Sequence, residues 1–92
     1  EQAAEVKRIC GLDKNVKDYG QVDWIKLDSS IKDIAIDLKF RGDYTPASRK
    51  LIQKAIADND LAEFKKQLKN AVNWPNVPKD RFDRRVKFLD EH

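Results

Sequence analysis

The sequence predicts an all-α fold of about five short helices. Two observations predict it: apolar residues recur at helical spacing along most of the chain, and these stretches are bounded by capping and helix-stopping residues. The sequence also lacks a strand period, an internal repeat, a low-complexity tract and a Gly-rich phosphate loop. Short connections between such helices imply neighbours packed on one another in one all-α layer.

The first helix is expected over 2–10, with Val6, Ile9 and Cys10 on one face and Gly11 as its stop. Residues 12–26 have no clean period and contain Gly20, so they read as a connector. Asp28, Ser29 and Ser30 then offer N-caps for a second helix, because their side-chain oxygens can accept the free N–H groups of its first turn. Ile31, Ile34, Ala35 and Leu38 form one stripe, widened by Ile36 and Phe40, and Gly42 stops it. Thr45 caps a third helix with Pro46 at its first position, where a missing N–H does no harm. Its inner face is Leu51, Ile52, Ala55 and Ile56. A fourth opens at Asp60, spaced from Glu63 as in a capping box, and carries Leu61, Phe64, Leu68, Ala71 and Val72 inward. Trp74 and Pro75 end it, and Pro78 restarts a fifth with Phe82, Val86 and Leu89 inward. The boundaries divide the chain into an N-terminal helix and connector, 1–27, and a helical region, 28–92.

Composition excludes several function classes. A charged share of 38% beside 40% apolar residues fits a helical domain with a solvated face, not a disordered chain. No apolar run approaches the roughly 20 residues of a membrane span. One cysteine, Cys10, excludes an internal disulfide and reads as a small buried hydrophobe. With one histidine, His92, at the last position, neither a zinc site nor a Ser/His or Cys/His pair is expected, and no cofactor is implied. The net charge of +3 comes from interleaved charges rather than a basic block. It favours an anionic partner such as cell-wall polymer; nucleic acid would rest only on the pI and an arginine cluster, and is not expected.

That cluster is Arg81, Arg84 and Arg85, which share an exposed helix face at i, i+3 and i+4. It reads either as a solvated face with local ion pairs or as a guanidinium fork aimed at an anion. The segment Phe40-Arg41-Gly42-Asp43-Tyr44-Thr45-Pro46 joins two apolar helices. There Phe40 and Tyr44 could stack on a sugar ring while Arg41 and Asp43 bond its hydroxyls; equally, the segment could be a plain turn with a cap. Trp74 fits the core, and Trp24 is open. Among the 16 acidic residues, Glu5 and Asp13 are conceivable, yet no pair suits the two-carboxylate chemistry of glycoside hydrolysis.

The order of these features resembles the C-terminal helical lobe of phage-type lysozymes over about Asp28 to Leu89. The run from Ile31 to Gly42 is similar to their central buried helix and the turn after it. Asn59-Asp60-Leu61, Phe64, Leu68 and Trp74 follow in the matching order. The spellings Arg41-Gly42-Asp43-Tyr44-Thr45-Pro46 and Val77-Pro78-Lys79-Asp80-Arg81-Phe82-Asp83-Arg84-Arg85 look closest to the pesticin-like branch of bacteriocins and delivered toxins.

The resemblance implies a muramidase cleaving β-1,4 bonds of peptidoglycan glycan strands in the bacterial periplasm, with a cognate immunity protein as a possible partner. It implies that Arg81, seven positions after Trp74, reaches the catalytic glutamate, and that Arg84 ties two lobes together. It places Phe40, Arg41, Gly42, Asp43 and Tyr44 beside the sugar chain. No segment before Asp28 matches the Gly-rich turn that holds the family's catalytic carboxylates. The expectation is therefore that the carboxylates lie in an N-terminal lobe outside these residues, on the same or another chain, and that the 92 residues alone are inactive. The alternative is a non-catalytic module derived from the same fold, binding glycan or an immunity protein.

Overall fold

The computed structural model describes residues 2–91, which hold six α-helices and one 3-10 turn and, among those residues, no strand. The helices are α1 (Gln2–Cys10), α2 (Asp13–Tyr19), α3 (Ser29–Phe40), α4 (Pro46–Ala57), α5 (Leu61–Lys69) and α6 (Lys79–Asp90). His92 lies outside the described residues.

Side-chain caps fix where three of these helices begin. Asp28 accepts from the Ser30 N–H at 2.8 Å and opens α3. Thr45 and Ser48 form a reciprocal capping box at α4, at 3.2 and 2.8 Å, with Pro46 in the first turn. Asp60 accepts from the Glu63 N–H at 3.1 Å and opens α5. Two helix ends share one chemistry, a residue with positive φ followed by a backbone bond back across the last turn. After α3 that residue is Gly42, φ 79°, and the Asp43 N–H reaches the Leu38 carbonyl at 2.7 Å. After α4 it is Asn59, φ 53°, and the Asp60 N–H reaches the Ala55 carbonyl at 2.8 Å.

The core gathers α3 and its neighbours. Ile31, Ile34, Ala35 and Leu38 of α3 are buried with Val6 and Cys10 of α1, Ile52, Ala55 and Ile56 of α4, Phe64 and Leu68 of α5, and Leu89 of α6. Helix α1 lies on α3, α4 lies on α5, and α5 lies on both α3 and α6. Residues before and after position 28 thus share one core. The radius of gyration, 12.1 Å, agrees with the ~12 Å expected of a compact chain of this length.

The structure corrects the sequence reading in three places. The connector 12–26 contains α2, a seven-residue helix without an apolar stripe. A polar side chain anchors it: buried Asn15 donates to the Ile9 carbonyl at 2.8 Å, and Gly20 brings the helix end against Ala57. Helix α5 stops at Lys69, because the Asn70 side chain accepts the Val72 N–H and turns the backbone into the 3-10 segment Ala71–Asn73. Ala71 and Val72 are consequently exposed, Val72 at 84%. In α6, Leu89 is buried as expected and Phe82 packs against the core. Arg85, read as part of an exposed cluster, is buried at 4%.

Trp74 belongs to the core, as its position at the end of a helix suggested: it is buried, and its indole N–H donates to the Gln67 carbonyl at 3.0 Å. Cys10 is likewise buried. Trp24 is half-buried under the Lys32 ammonium, 5.6 Å from its ring centroid. No helix among the described residues is long and apolar enough to cross a membrane.

Candidate functional site

Helices α3 and α6 leave a groove of about 200 Å³ between them. Helix periodicity builds both walls: Asp33, Ile34, Asp37 and Arg41 fall on one side of α3, and Arg81, Arg84, Arg85 and Phe88 on one side of α6. Ile34 and Phe88 supply apolar surface, and four arginines against two aspartates make the lining cationic.

Arg85 organises the deep end. Its side chain is 5% exposed, with Nε donating to Asp37 Oδ2 at 2.8 Å and Nη2 to Asp43 Oδ2 at 2.9 Å. The fork geometry of a guanidinium allows this simultaneous hold on two carboxylates, which a lysine ammonium cannot reproduce in plane. Arg81 Nη1 donates to the same Asp43 oxygen at 3.2 Å. The other N–H groups of Arg81 carry no protein hydrogen bond among the described residues, and its side chain is 25% exposed beside the groove. The turn after α3 delivers Asp43 to this point, since positive φ at Gly42 reverses the chain within one residue.

The remaining predicted residues are placed differently from one another. Arg41 lines the groove and lies 3.8 Å from Asp37. Its guanidinium also covers the exposed Phe40 ring at 5.4 Å. Arg84 lies on the outer rim, largely exposed, and pairs with Asp80 on its own helix at 3.4 Å. Gly42, Asp43 and Thr45 face a second cleft of about 390 Å³, whose opposite wall is the loop from Val72 to Val77. Tyr44 points inward instead. It is 6% exposed, its hydroxyl donates to Gln53 Oε1 at 2.5 Å and lies 3.5 Å from the Cys10 sulfur. Its ring is therefore not presented for stacking. Burial first, and then Cys10, push the Tyr44 phenol well above its ordinary range.

Neither early carboxylate candidate is held in a cleft. Glu5 pairs with Arg8 at 2.9 Å, and the hydrogen bond and charge of Arg8 hold its carboxyl below the usual value. Asp13 is exposed in the first turn of α2. No group of three His, Cys, Asp or Glu among the described residues could hold a metal ion.

Sequence reasoning found Arg81, Arg41 and Asp43 but missed that Arg85 and Asp37 complete the cluster. One signal was present: Arg85 stands at i+3 from Phe82 and four before Leu89, on the inward stripe of α6. Nothing in a single sequence shows that Asp37 and Asp43 wait opposite it.

Residues 1–86 match the family described as Domain of unknown function (DUF8812), and the chain belongs to that family. No curated protein matches it, and no solved structure does.

Proposed function

We propose that this chain is the C-terminal part of a lysozyme-like, peptidoglycan-hydrolysing muramidase that cleaves β-1,4 glycan bonds, with its catalytic carboxylates supplied from outside these residues. The observation that carries the reading is the open groove at Arg81. One N–H of that guanidinium is engaged by Asp43, and the remaining donors border a partly apolar groove. A glutamate entering there would meet preset N–H donors and a positive charge, which orient a carboxyl group and favour its ionised form. Lysozyme chemistry needs such control, because its two carboxyl groups must hold different protonation states across the sugar. The resemblance in the order of Trp74, Arg81 and Arg84 supplies the identity of that incoming group.

In this reading Arg81 orients the glutamate and Arg84, free of the core, contacts the neighbouring lobe. Phe40, Arg41, Gly42 and Asp43 border the glycan, while Tyr44 supports that turn from inside. The protein would be a delivered bacterial toxin or bacteriocin acting in the periplasm, restrained in its producer by an immunity protein.

A second reading, a non-catalytic module that binds glycan or an immunity protein, is favoured by one specific observation. Of the two carboxylates that line the groove, Asp37 is tied to Arg85, and Asp43 beside it is tied to Arg81 and Arg85, so Asp33 has no free partner carboxylate with which to act as acid and nucleophile.

Co-sedimentation with purified insoluble peptidoglycan, followed by chromatography of released muropeptides, tests both. The expected result for the 92 residues is saturable binding without release. Absence of binding to peptidoglycan counts against both glycan readings. Release of muropeptides by this chain alone would show that its own carboxylates do the chemistry, and would overturn their assignment to another segment.

A further inference from the structure

Asp43 presents a problem for any site built on Arg81. An aspartate and an arginine left alone in a partly buried setting form a two-armed pair, both carboxylate oxygens accepting from the guanidinium fork. Such a closed pair would use the donors that an incoming carboxylate needs. In this structure the pair is not closed. Arg81 makes a single bond, to Asp43 Oδ2, at 3.2 Å, and that oxygen is held at a shorter 2.9 Å by Arg85. Arg85 in turn is fixed by Asp37 at 2.8 Å, and its side chain is 5% exposed, so its position is set by packing and charge together.

We propose that the α3/α6 groove is a binding site for a carboxylate ligand, and that Arg85 is its positioning residue: by capturing Asp43 it keeps Arg81 open. The proposal rests on the reading of Arg81 given above but is separable from it. Arg81 and Arg84 contact the ligand, on the Arg81 N–H groups not used by Asp43 and on the outer edge of the groove. Arg85 lines the deep end of the groove and acts on the ligand through its hold on Asp43. Asp37 serves as the anchor that prevents Arg85 from following Asp43 toward Arg81.

The geometry makes a prediction that simple loss of structure does not. Replacing Arg85 frees the Asp43 carboxylate to rotate and accept from both arms of Arg81, so carboxylate binding weakens although Arg81 is intact. Removing the Asp43 charge as well should restore binding, because no internal competitor remains. A residue needed only for folding would show no such rescue.

Acetate is a sufficient probe, titrated into 15N-labelled chain while the arginine Nε–Hε resonances are followed. The intact chain should show a saturable shift of the Arg81 resonance. Arg85→Gln, or the more conservative Arg85→Lys where Gln unsettles the fold, should raise the apparent acetate Kd at least about fivefold. The same substitution combined with Asp43→Asn should return the Kd to within about twofold of the starting value. Backbone spectra of each variant identify any that has lost its fold. Unchanged acetate affinity in a folded Arg85 variant, or no recovery in the double variant, overturns the positioning role. The Arg81 resonance tests the idea without ligand as well: it should move toward a two-armed Asp43 pair in the single variant and away from it in the double one. An Arg81 resonance that moves in this way while acetate leaves the intact chain unshifted would remove the carboxylate site, and with it the reading of Arg81, but leave the Arg85–Asp43 coupling in place.

Discussion

Replacement of Arg85 by methionine keeps most of the apolar stem and deletes the guanidinium, so its effect isolates the charge network. Two charge-assisted bonds disappear, to Asp37 and Asp43, at 2.8 and 2.9 Å. The two stranded carboxylates are not equivalent. Asp43 is 13% exposed but keeps Arg81, whereas Asp37 loses its near partner but is 38% exposed and retains water and Arg41 at 3.8 Å. Breaking a buried pair from one side costs about 3–5 kcal/mol, and these remaining partners place the substitution near 3 kcal/mol. That is a large share of the roughly 5–15 kcal/mol that holds a small domain together. With a urea slope of about 1.5 kcal/mol per molar, the unfolding midpoint should fall by about 2 M. Circular dichroism at 222 nm during urea titration measures it. Arg84→Met is the control, since Arg84 is exposed and pairs only along its own helix; its effect should stay within about 0.5 kcal/mol. Equal midpoints for the Arg85 and Arg84 variants would refute the reasoning. Adding Asp37→Asn and Asp43→Asn to Arg85→Met should recover part of the loss, because the two stranded carboxylates are then neutral and the arginines that lose them, Arg81 and Arg41, are partly exposed to solvent.

Other substitutions test separate levels of the structure. Phe64→Ala empties a fully buried site where α5 meets the core and should cost about 3–5 kcal/mol, while Val72→Ala, on the exposed 3-10 turn, should change stability by less than about 0.5 kcal/mol; calorimetry distinguishes them. Thr45→Ala removes the α4 cap and should cost about 1 kcal/mol in a urea titration. Gly42→Ala meets no atom within 4 Å but forces a side chain to positive φ, so a loss of about 1 kcal/mol with no change in packing is expected. Tyr44 should make stability pH-dependent in the alkaline range. Its folded phenol is raised above the unfolded value, so the contribution is complete below about pH 10 and declines above it, by about 1.4 kcal/mol per pH unit, as the unfolded chain alone gives up the proton. Tyr44→Phe should abolish that slope, and an unchanged alkaline slope would place its origin elsewhere.

How much of this was legible beforehand varies by element for physical reasons. Helices α3 and α4 were readable to within a residue or two because two independent local signals coincide there, a cap at each start and an apolar stripe of helical period. Helix α2 was not readable, since its seven residues carry no stripe and its anchor is one amide, Asn15, bonded to the end of α1. The end of α5 was misplaced for a related reason: Ala71 and Val72 continue the period, but Asn70 offers the backbone a competing local bond. In the site, Arg81, Arg41 and Asp43 stood out as charged residues near a turn or on a shared face. Tyr44 was read toward the glycan although the core takes it, because a tyrosine satisfies an apolar pocket when partners such as Gln53 and Cys10 receive its hydroxyl.

The sequence by itself determined the helical class, most helix starts, the helix stop at Gly42 and most of the apolar residues of the core. Those properties depend on neighbours within four residues along the chain, where capping and helical period act. Only the tertiary structure decided that Arg85 is buried, that Asp37 and Asp43 meet it from α3 and the following turn, and that Arg81 is left open beside a groove. Asp37 and Arg85 lie 48 residues apart, and a charge buried at that separation is stable only where the fold delivers its counter-charge.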